Sequence, residues 1–294
     1  MTRASKIVVQ LVLMVMKRSI VKKRDRLFLT KFANYKDKKK QMIRKMKNIR
    51  KITMAALVAF SVVIAGGCTK SDDPNNGGGG NNGGGNGGGT YNGHEYVDLG
   101  LPSGTLWATC NVGATSPEEY GDYFAWGETQ PKDTYNWSTY QYCMGSDHTL
   151  TMYCTDTDPH FHFGYNGFYD DLTTLLPEDD VATANWGSGW RMPTRAQWEE
   201  LYVNAAYTWT TRGGVHGRLF TASNGNSLFL PAAGYRSDVE LKFAGIGGYY
   251  WSSSLYDCPV YAMGFLFGVD VCFVLNGNRD TGRSVRPVRS ARQN

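Results

Sequence analysis

From Tyr91 onward, apolar and polar positions alternate over short stretches, and Gly, Asn, Asp or Pro punctuates them every few residues. This rhythm predicts short strands joined by ordered loops, because period-two runs suit a half-buried pleated surface and the punctuating residues break them. Strands are expected over residues 94–98, 106–111, 123–125, 228–230, 249–253, 262–267, 270–275 and 284–289. In 262–267 one alternate set is Met263, Phe265 and Phe267, and the bulkier side chains of this set are expected to face the core. The clearest helical signal begins at Pro193-Thr194, where Thr194 can cap and Gln197 follows three residues later. Ala196, Trp198, Leu201 and Tyr202 would supply its apolar face and Glu199 and Glu200 its wet one, with an end near residues 204–206. A shorter helix is expected over 170–176 or 178–184.

Upstream the pattern changes. The basic run Met46-Lys-Asn-Ile-Arg-Lys51 precedes an apolar stretch over 54–65 and then Gly66-Gly67-Cys68. A basic start, about a dozen apolar residues and small residues before a break make a secretory signal, too short to span a bilayer. With Cys68 at the break it resembles a bacterial lipoprotein signal, which implies lipidation of the Cys68 thiol and an outer-membrane anchor facing the cell exterior. The following Thr69-Lys-Ser-Asp-Asp73 looks like the acidic surface-export signal of Bacteroidetes lipoproteins; a plain polar tether is the alternative. Residues 1–45 are expected to be an upstream extension of the gene model, the alternative being an amphipathic helix around 7–16. The expected organisation is therefore extension 1–45, signal peptide 46–67, lipidated Cys68 with a Gly/Asn-rich tether over 68–90, one domain over 91–289, and a tail over 290–294. The Gly/Asn tract has a reach of about 20 Å as a flexible coil.

Charge sharpens this division. The whole chain is formally +5, yet from Cys68 onward 13 Lys and Arg stand against 24 Asp and Glu, a balance of −11. Such a surface argues against nucleic acid as a partner.

Trp190-Arg-Met-Pro-Thr-Arg-Ala-Gln-Trp-Glu-Glu-Leu201 belongs with four further motifs: Tyr96-Val-Asp-Leu-Gly-Leu-Pro-Ser-Gly-Thr-Leu-Trp107, Gly121-Asp-Tyr-Phe-Ala-Trp-Gly-Glu128, Leu230-Pro-Ala-Ala-Gly-Tyr-Arg236 and Tyr250-Trp-Ser-Ser-Ser254. In this order they resemble the Fibrobacter succinogenes major paralogous domain family. That family is similar to formylglycine-generating enzymes, whose Arg-Leu-Pro-Thr-x-x-Glu-Trp-Glu segment looks like residues 191–199. The resemblance implies an α+β, C-type lectin-like fold of the formylglycine-generating-enzyme type, with short antiparallel strands, few helices and much ordered loop. The copper-binding Cys pair of those enzymes has no counterpart in Gly282-Arg-Ser-Val-Arg-Pro-Val-Arg289, so no enzyme, cofactor or metal is expected. A metal- and oxygen-dependent modifying enzyme is the alternative, and a structural envelope protein another.

Residues 252–281 contain no Lys, Glu, Gln or Trp and one Met, where the rate over 68–251 predicts about four of these five types. Certain proteins of the resembled fold are diversified in this place by adenine-directed mutagenesis of Asn codons, which cannot produce those residues. The resemblance thus implies a ligand-binding face made by Tyr256, Asp257, Val260, Tyr261, Gly264, Leu266, Asp270, Val274, Asn276, Asn278 and Asp280, with Cys258 and Cys272 among the variable positions. A fixed apolar hairpin with a polar loop is the competing reading. The ligand would be a protein or glycan at the cell surface or outside it.

Other chemistry is sparser. Export permits disulfides, and Cys143–Cys154 is the expected local pair. Cys258 and Cys272 are expected to pair or to act as small apolar fillers. Asp156, Asp158, His160 and His162 could ligate a metal, with a polar surface loop as the alternative. Glu178, Asp179 and Asp180 could take Ca²⁺ or open a helix. Arg283, Arg286 and Arg289 could meet an acidic ligand or close the fold as a structural strand.

Overall fold

The computed structural model describes residues 87–155 and 162–291, all within the compact unit Asn81–Asn294. The extension, signal peptide, Cys68, the tether as far as Asn86, Asp156, Asp158 and His160 lie outside the described residues.

Among the described residues the unit has four antiparallel sheets. The first has the order β1-β2-β3-β12, from Gly88–Tyr91, His94–Asp98, Thr105–Ala108 and Val288–Ser290. β4 (Ala206–Arg212), β5 (Val215–Thr221) and β6 (Ser227–Pro231) form a three-stranded meander. β7 (Tyr235–Ser237) and β8 (Glu240–Lys242) form a hairpin. The last sheet, β11-β10-β9, is built from Gly248–Leu255 (β9), Tyr261–Phe267 (β10) and Cys272–Asn278 (β11). Two α-helices are present among the described residues: α1 (Val181–Trp186) and α2 (Arg195–Asn204).

Among the described residues strand outweighs helix, 38% against 13%, and no barrel closes. The expected α+β, C-type lectin-like architecture of the formylglycine-generating-enzyme type is corrected to a mostly-β one. The cause lies in the punctuation. Helices need several turns to repay nucleation, and only α2 runs ten residues before the chain turns extended at Ala205.

α2 starts where the capping motif places it. Thr194 Oγ1 accepts from the Gln197 amide at 3.3 Å, and Gln197 Oε1 accepts from the Thr194 amide at 3.0 Å. Its faces differ from expectation in one respect. Gln197 is buried, donating to Thr105 Oγ1 at 2.7 Å, and Ala196 is exposed. The polar cap residue takes the inward place because it also accepts from Arg191 Nη1 at 2.7 Å. α1 is capped by Asp180, whose carboxylate accepts from the amides of Ala182 and Thr183 and also holds the Met192 amide. The acidic run Glu178–Asp180 thus opens a helix, and Asp179 accepts from the hydroxyls of Tyr142 and Tyr153.

The core has two parts. Trp107, Trp198, Phe220, Tyr250, Phe265 and Phe267 pack together beneath α2. Trp126, Tyr135, Tyr153, Trp190 and Trp251 anchor the other part. Met263, Phe265 and Phe267 are all buried, as their alternation predicts. The glycines 88 and 89, assigned to the tether, instead enter β1: Gly88 pairs with Val97 and Gly89 with Tyr96. A Cβ on Gly88 would stand 2.7 Å from the Tyr96 carbonyl oxygen, so close approach requires glycine there. β12 likewise carries the sheet to Ser290, one residue into the expected tail. The strand expected over 284–289 is shorter, since Pro287 cannot donate to a ladder and pairing begins at Val288.

Candidate ligand-binding face

The sheet β9–β10–β11 has two unlike faces, fixed by register. Tyr249 opposes Leu266, which opposes Phe273; Trp251 opposes Gly264, which opposes Leu275; Ala262 opposes Gly277. Directly opposed residues share a face. The inner face therefore carries Tyr250, Phe265, Phe267 and Cys272, packed on Trp198 and Phe220. The outer face carries Tyr249, Leu266, Phe273 and Leu275, none of them buried, while Trp251 and Ala262 on the same face are enclosed in the second part of the core.

The β7–β8 hairpin extends this outer surface. The Tyr235 ring lies 4.8 Å from Tyr249 and 6.0 Å from Phe243. Phe243 is 51% exposed, Ile246 63%, Val269 56% and Leu275 37%. Exposed apolar residues gathered in one place mark an interaction site more often than scattered ones do.

The residues proposed from sequence do not form one face. Gly264 and Leu266 lie on the outer face. Val274 packs against the inner core, with Asn276 half-buried two residues on. Asp270 is exposed at the β10–β11 turn, while Tyr256, Asp257 and Tyr261 sit at the opposite end, the two tyrosine rings 6.4 Å apart. Asn278 is exposed at the end of β11. Val260, Gly264 and Asp280 are buried, which corrects their assignment as surface contacts. A Cβ at Gly264 would lie 2.5 Å from the Tyr250 carbonyl oxygen, so a freely varied side chain cannot stand there. Composition marks residue types and is blind to which face each occupies.

Arginines, passed over or left open by sequence, frame the hairpin. Arg218 on β5 is buried and donates to the turn carbonyls of Gly268, Val269 and Val271 at 2.6 to 3.1 Å. Arg279 is fully buried and donates to Tyr140 Oη and to the carbonyls of Met152, Tyr153 and Pro259. The two thus tie down opposite ends of the segment. Arg218 precedes Leu219 and Phe220, a hint of burial, whereas Arg279 lies between Asn278 and Asp280 and carries no such signal in sequence.

The closing arginines diverge in role. Arg286 donates to Asn111 Oδ1 at 2.8 Å and to the Ala108 and Thr109 carbonyls, a structural role. The Arg289 guanidinium lies 3.7 Å from the Tyr91 ring centroid. Arg283 crosses the outer face of the sheet, 4.1 Å from the Trp251 ring centroid and 5.9 Å from that of Tyr249. Glycines make its bed: a Cβ at Gly277 would overlap Arg283 Nη2, and one at Gly264 would lie 3.0 Å from Nη1. Burial pushes the Arg283 pKa down to about 10, so it stays charged at neutral pH.

Asp280, beside this framework, is buried and its Oδ1 has no hydrogen-bond partner among the described residues. Desolvation pushes its pKa up to about 6, against attraction from Lys132 and with repulsion from Asp238 and Asp147. A carboxyl whose folded pKa is raised stabilises the fold below its unfolded pKa and loses that contribution as pH climbs through the folded value. Stability should therefore fall between about pH 4 and 6 by about 2–3 kcal/mol from this residue. Asp280→Asn should remove that slope and leave the protein more stable than wild type at pH 7. Urea unfolding at pH 4, 5, 6 and 7 checks this; parallel pH profiles for the two proteins would refute it.

The expected Cys143–Cys154 disulfide is not formed. Cys143 is paired across a tight bridge with Leu150, and its thiol donates to the Trp137 carbonyl at 3.0 Å. Cys258 and Cys272 pack against different parts of the core, which separates them as partners. Among the described residues no group of three His, Cys, Asp or Glu stands close enough to hold a metal ion. His162 lines a recess with Cys154, Phe163 and Tyr169, at the edge of the residues left undescribed.

Comparison with protein-family models, with curated proteins and with solved structures finds no match in any of the three.

Proposed function

We propose that this chain is a lipid-anchored protein of the outer-membrane surface whose folded part binds a protein or glycan ligand without catalysing a reaction on it. The observation that carries the reading is the outer face of β9–β10–β11 with the β7–β8 hairpin. There Tyr249, Leu266, Leu275, Phe243 and Ile246 leave apolar surface open in a chain that encloses most of its aromatic rings. Aromatic side chains lose little conformational entropy on binding and bring large contact areas, which suits a recognition surface. The lipoprotein-like Gly66-Gly67-Cys68 supports display at a membrane, and the resemblance to the Fibrobacter paralogous domain family accords with a surface role. Diversification by a retroelement is compatible with the exposed positions Asp257, Asp270 and Asn278, whereas Val260 and Gly264 require fixed residues.

The test uses cells displaying the full chain on arrays of immobilised glycans and extracellular proteins. Leu275→Asp and Phe243→Asp, at matched display levels, should each lower adhesion at least tenfold, and Cys68→Ala should abolish palmitate labelling. Undiminished adhesion of both surface variants would exclude this face as the binding site.

A further inference from the structure

We infer that the outer face carries a carboxylate-binding subsite centred on Arg283, which recognises a singly charged acid group borne on an apolar or aromatic body. The inference rests on the binding reading above and specifies the chemistry of its ligand.

Three observations converge. First, Arg283 is only 8% exposed, and its Nε is buried without a hydrogen-bond partner. No hydrogen bond or ion pair to its guanidinium is made among the described residues, although Arg218, Arg279 and Arg286 each find carbonyl or side-chain acceptors. A buried charge left unpaired costs several kcal/mol, so evolution ordinarily supplies an acceptor from the protein or from a ligand. Second, the guanidinium is positioned and not loose. Trp251 lies against it at 4.1 Å, and the glycines at 264 and 277 leave room for it and for no side chain of their own. A guanidinium held over a ring face engages the ring without using its N–H groups, and the Nη1–Nη2 fork matches a carboxylate in a bidentate pair. Third, the apolar surface for the ligand's body is adjacent. Tyr249 lies 5.9 Å from the same guanidinium and joins it to Tyr235 and Phe243.

Charge decides between acids. The sequence from Cys68 onward has a balance of −11, and Asp280 bears on the Arg283 charge. A doubly charged phosphate meets more repulsion there than a single carboxylate does. An acidic sugar, an acidic side chain and a chain-terminal carboxylate all present the same group.

The test measures thermal unfolding of the purified full chain in detergent against benzoate, benzamide and sulfate at constant ionic strength. Benzoate should stabilise saturably, and benzamide, its neutral isostere, and sulfate should not. Arg283→Met should weaken benzoate binding more than tenfold, and Arg283→Lys, which keeps the charge but loses the fork, about tenfold. Should Arg283→Met fail to fold, Gly277→Ala serves in its place, since the added methyl displaces the guanidinium while leaving it in the chain. Galacturonate and an acetylated peptide ending in a free carboxylate then separate sugar from peptide sources. Equal responses to benzoate and benzamide, a sulfate response matching that of benzoate, or benzoate binding untouched by Arg283→Met would each overturn the inference. So would no response to benzoate at all. Cells that still adhere through Leu275 and Phe243 would in that case keep the binding reading and lose only the carboxylate subsite.

Discussion

Arg279→Leu is expected to destabilise the fold by about 3–5 kcal/mol, a loss typical of breaking a buried, hydrogen-bonded charge. The guanidinium donates to Tyr140 Oη at 2.9 Å and to the carbonyls of Tyr153, Pro259 and Met152 at 2.9 to 3.0 Å. It also lies 4.9 Å from the Trp126 ring centroid. Leucine fills much of the volume but leaves three backbone carbonyls without a donor, each worth about 1–3 kcal/mol when buried. Relief of the buried charge offsets part of this, so the total stays below the simple sum. For a folded part of this size the melting temperature should fall by about 6–20 °C. A urea or thermal unfolding curve displaced by less than about 1 kcal/mol would show that the residue is not the clamp its geometry describes. Because Arg279 joins Pro259 to the loop at 152–153, proteolysis of the variant should also begin in that loop.

Trp198→Ala should cost about 3–5 kcal/mol, the range for removing a fully enclosed aromatic ring. Trp198 stacks on Phe265 with ring centroids 4.7 Å apart and planes 3° from parallel, and it touches Trp107 at 4.7 Å. Its Nε1 donates to the Trp251 carbonyl at 3.1 Å, which ties α2 to β9. Trp198→Phe should recover most of the packing and leave that carbonyl unpaired, a cost of about 1–2 kcal/mol. Near-ultraviolet circular dichroism with urea unfolding reads both effects. Equal losses for Ala and Phe would assign the stability to the hydrogen bond and not to the ring.

Several features were legible before the fold was in view because they are local. The capping pair Thr194 and Gln197 announces α2, and the alternation of Met263, Phe265 and Phe267 announces β10. Strand β4 is not legible: Ala206–Arg212 is Thr-rich and only partly covered, so its alternation carries little contrast in hydrophobicity. The fold class is not legible in this way: the resemblance implies α+β, while the balance of strand and helix follows from long-range pairing. The candidate surface divides in the same way. Leu266 could be placed from its alternation, but Leu275 and Phe273 depend on a register that only the β10–β11 pairing defines. Arg283 and Arg286 stand three residues apart, so extended backbone turns them to opposite faces, but sequence does not tell that Asn111 meets one and glycines meet the other.

The way the chain enters the first sheet has a mechanical consequence. β1 lies at the edge of its sheet, and Gly88 stands at the open end of the β1–β2 hairpin, across from Val97. A pull transmitted through the residues before Gly88 loads the ladder one rung at a time, as a zipper is opened, and not all rungs at once in shear. Four residues at about 3.4 Å each then release roughly 14 Å of chain before the strain reaches β2, which is still paired with β3. Under such a pull the edge strand would act as a yielding link ahead of the rest of the folded unit.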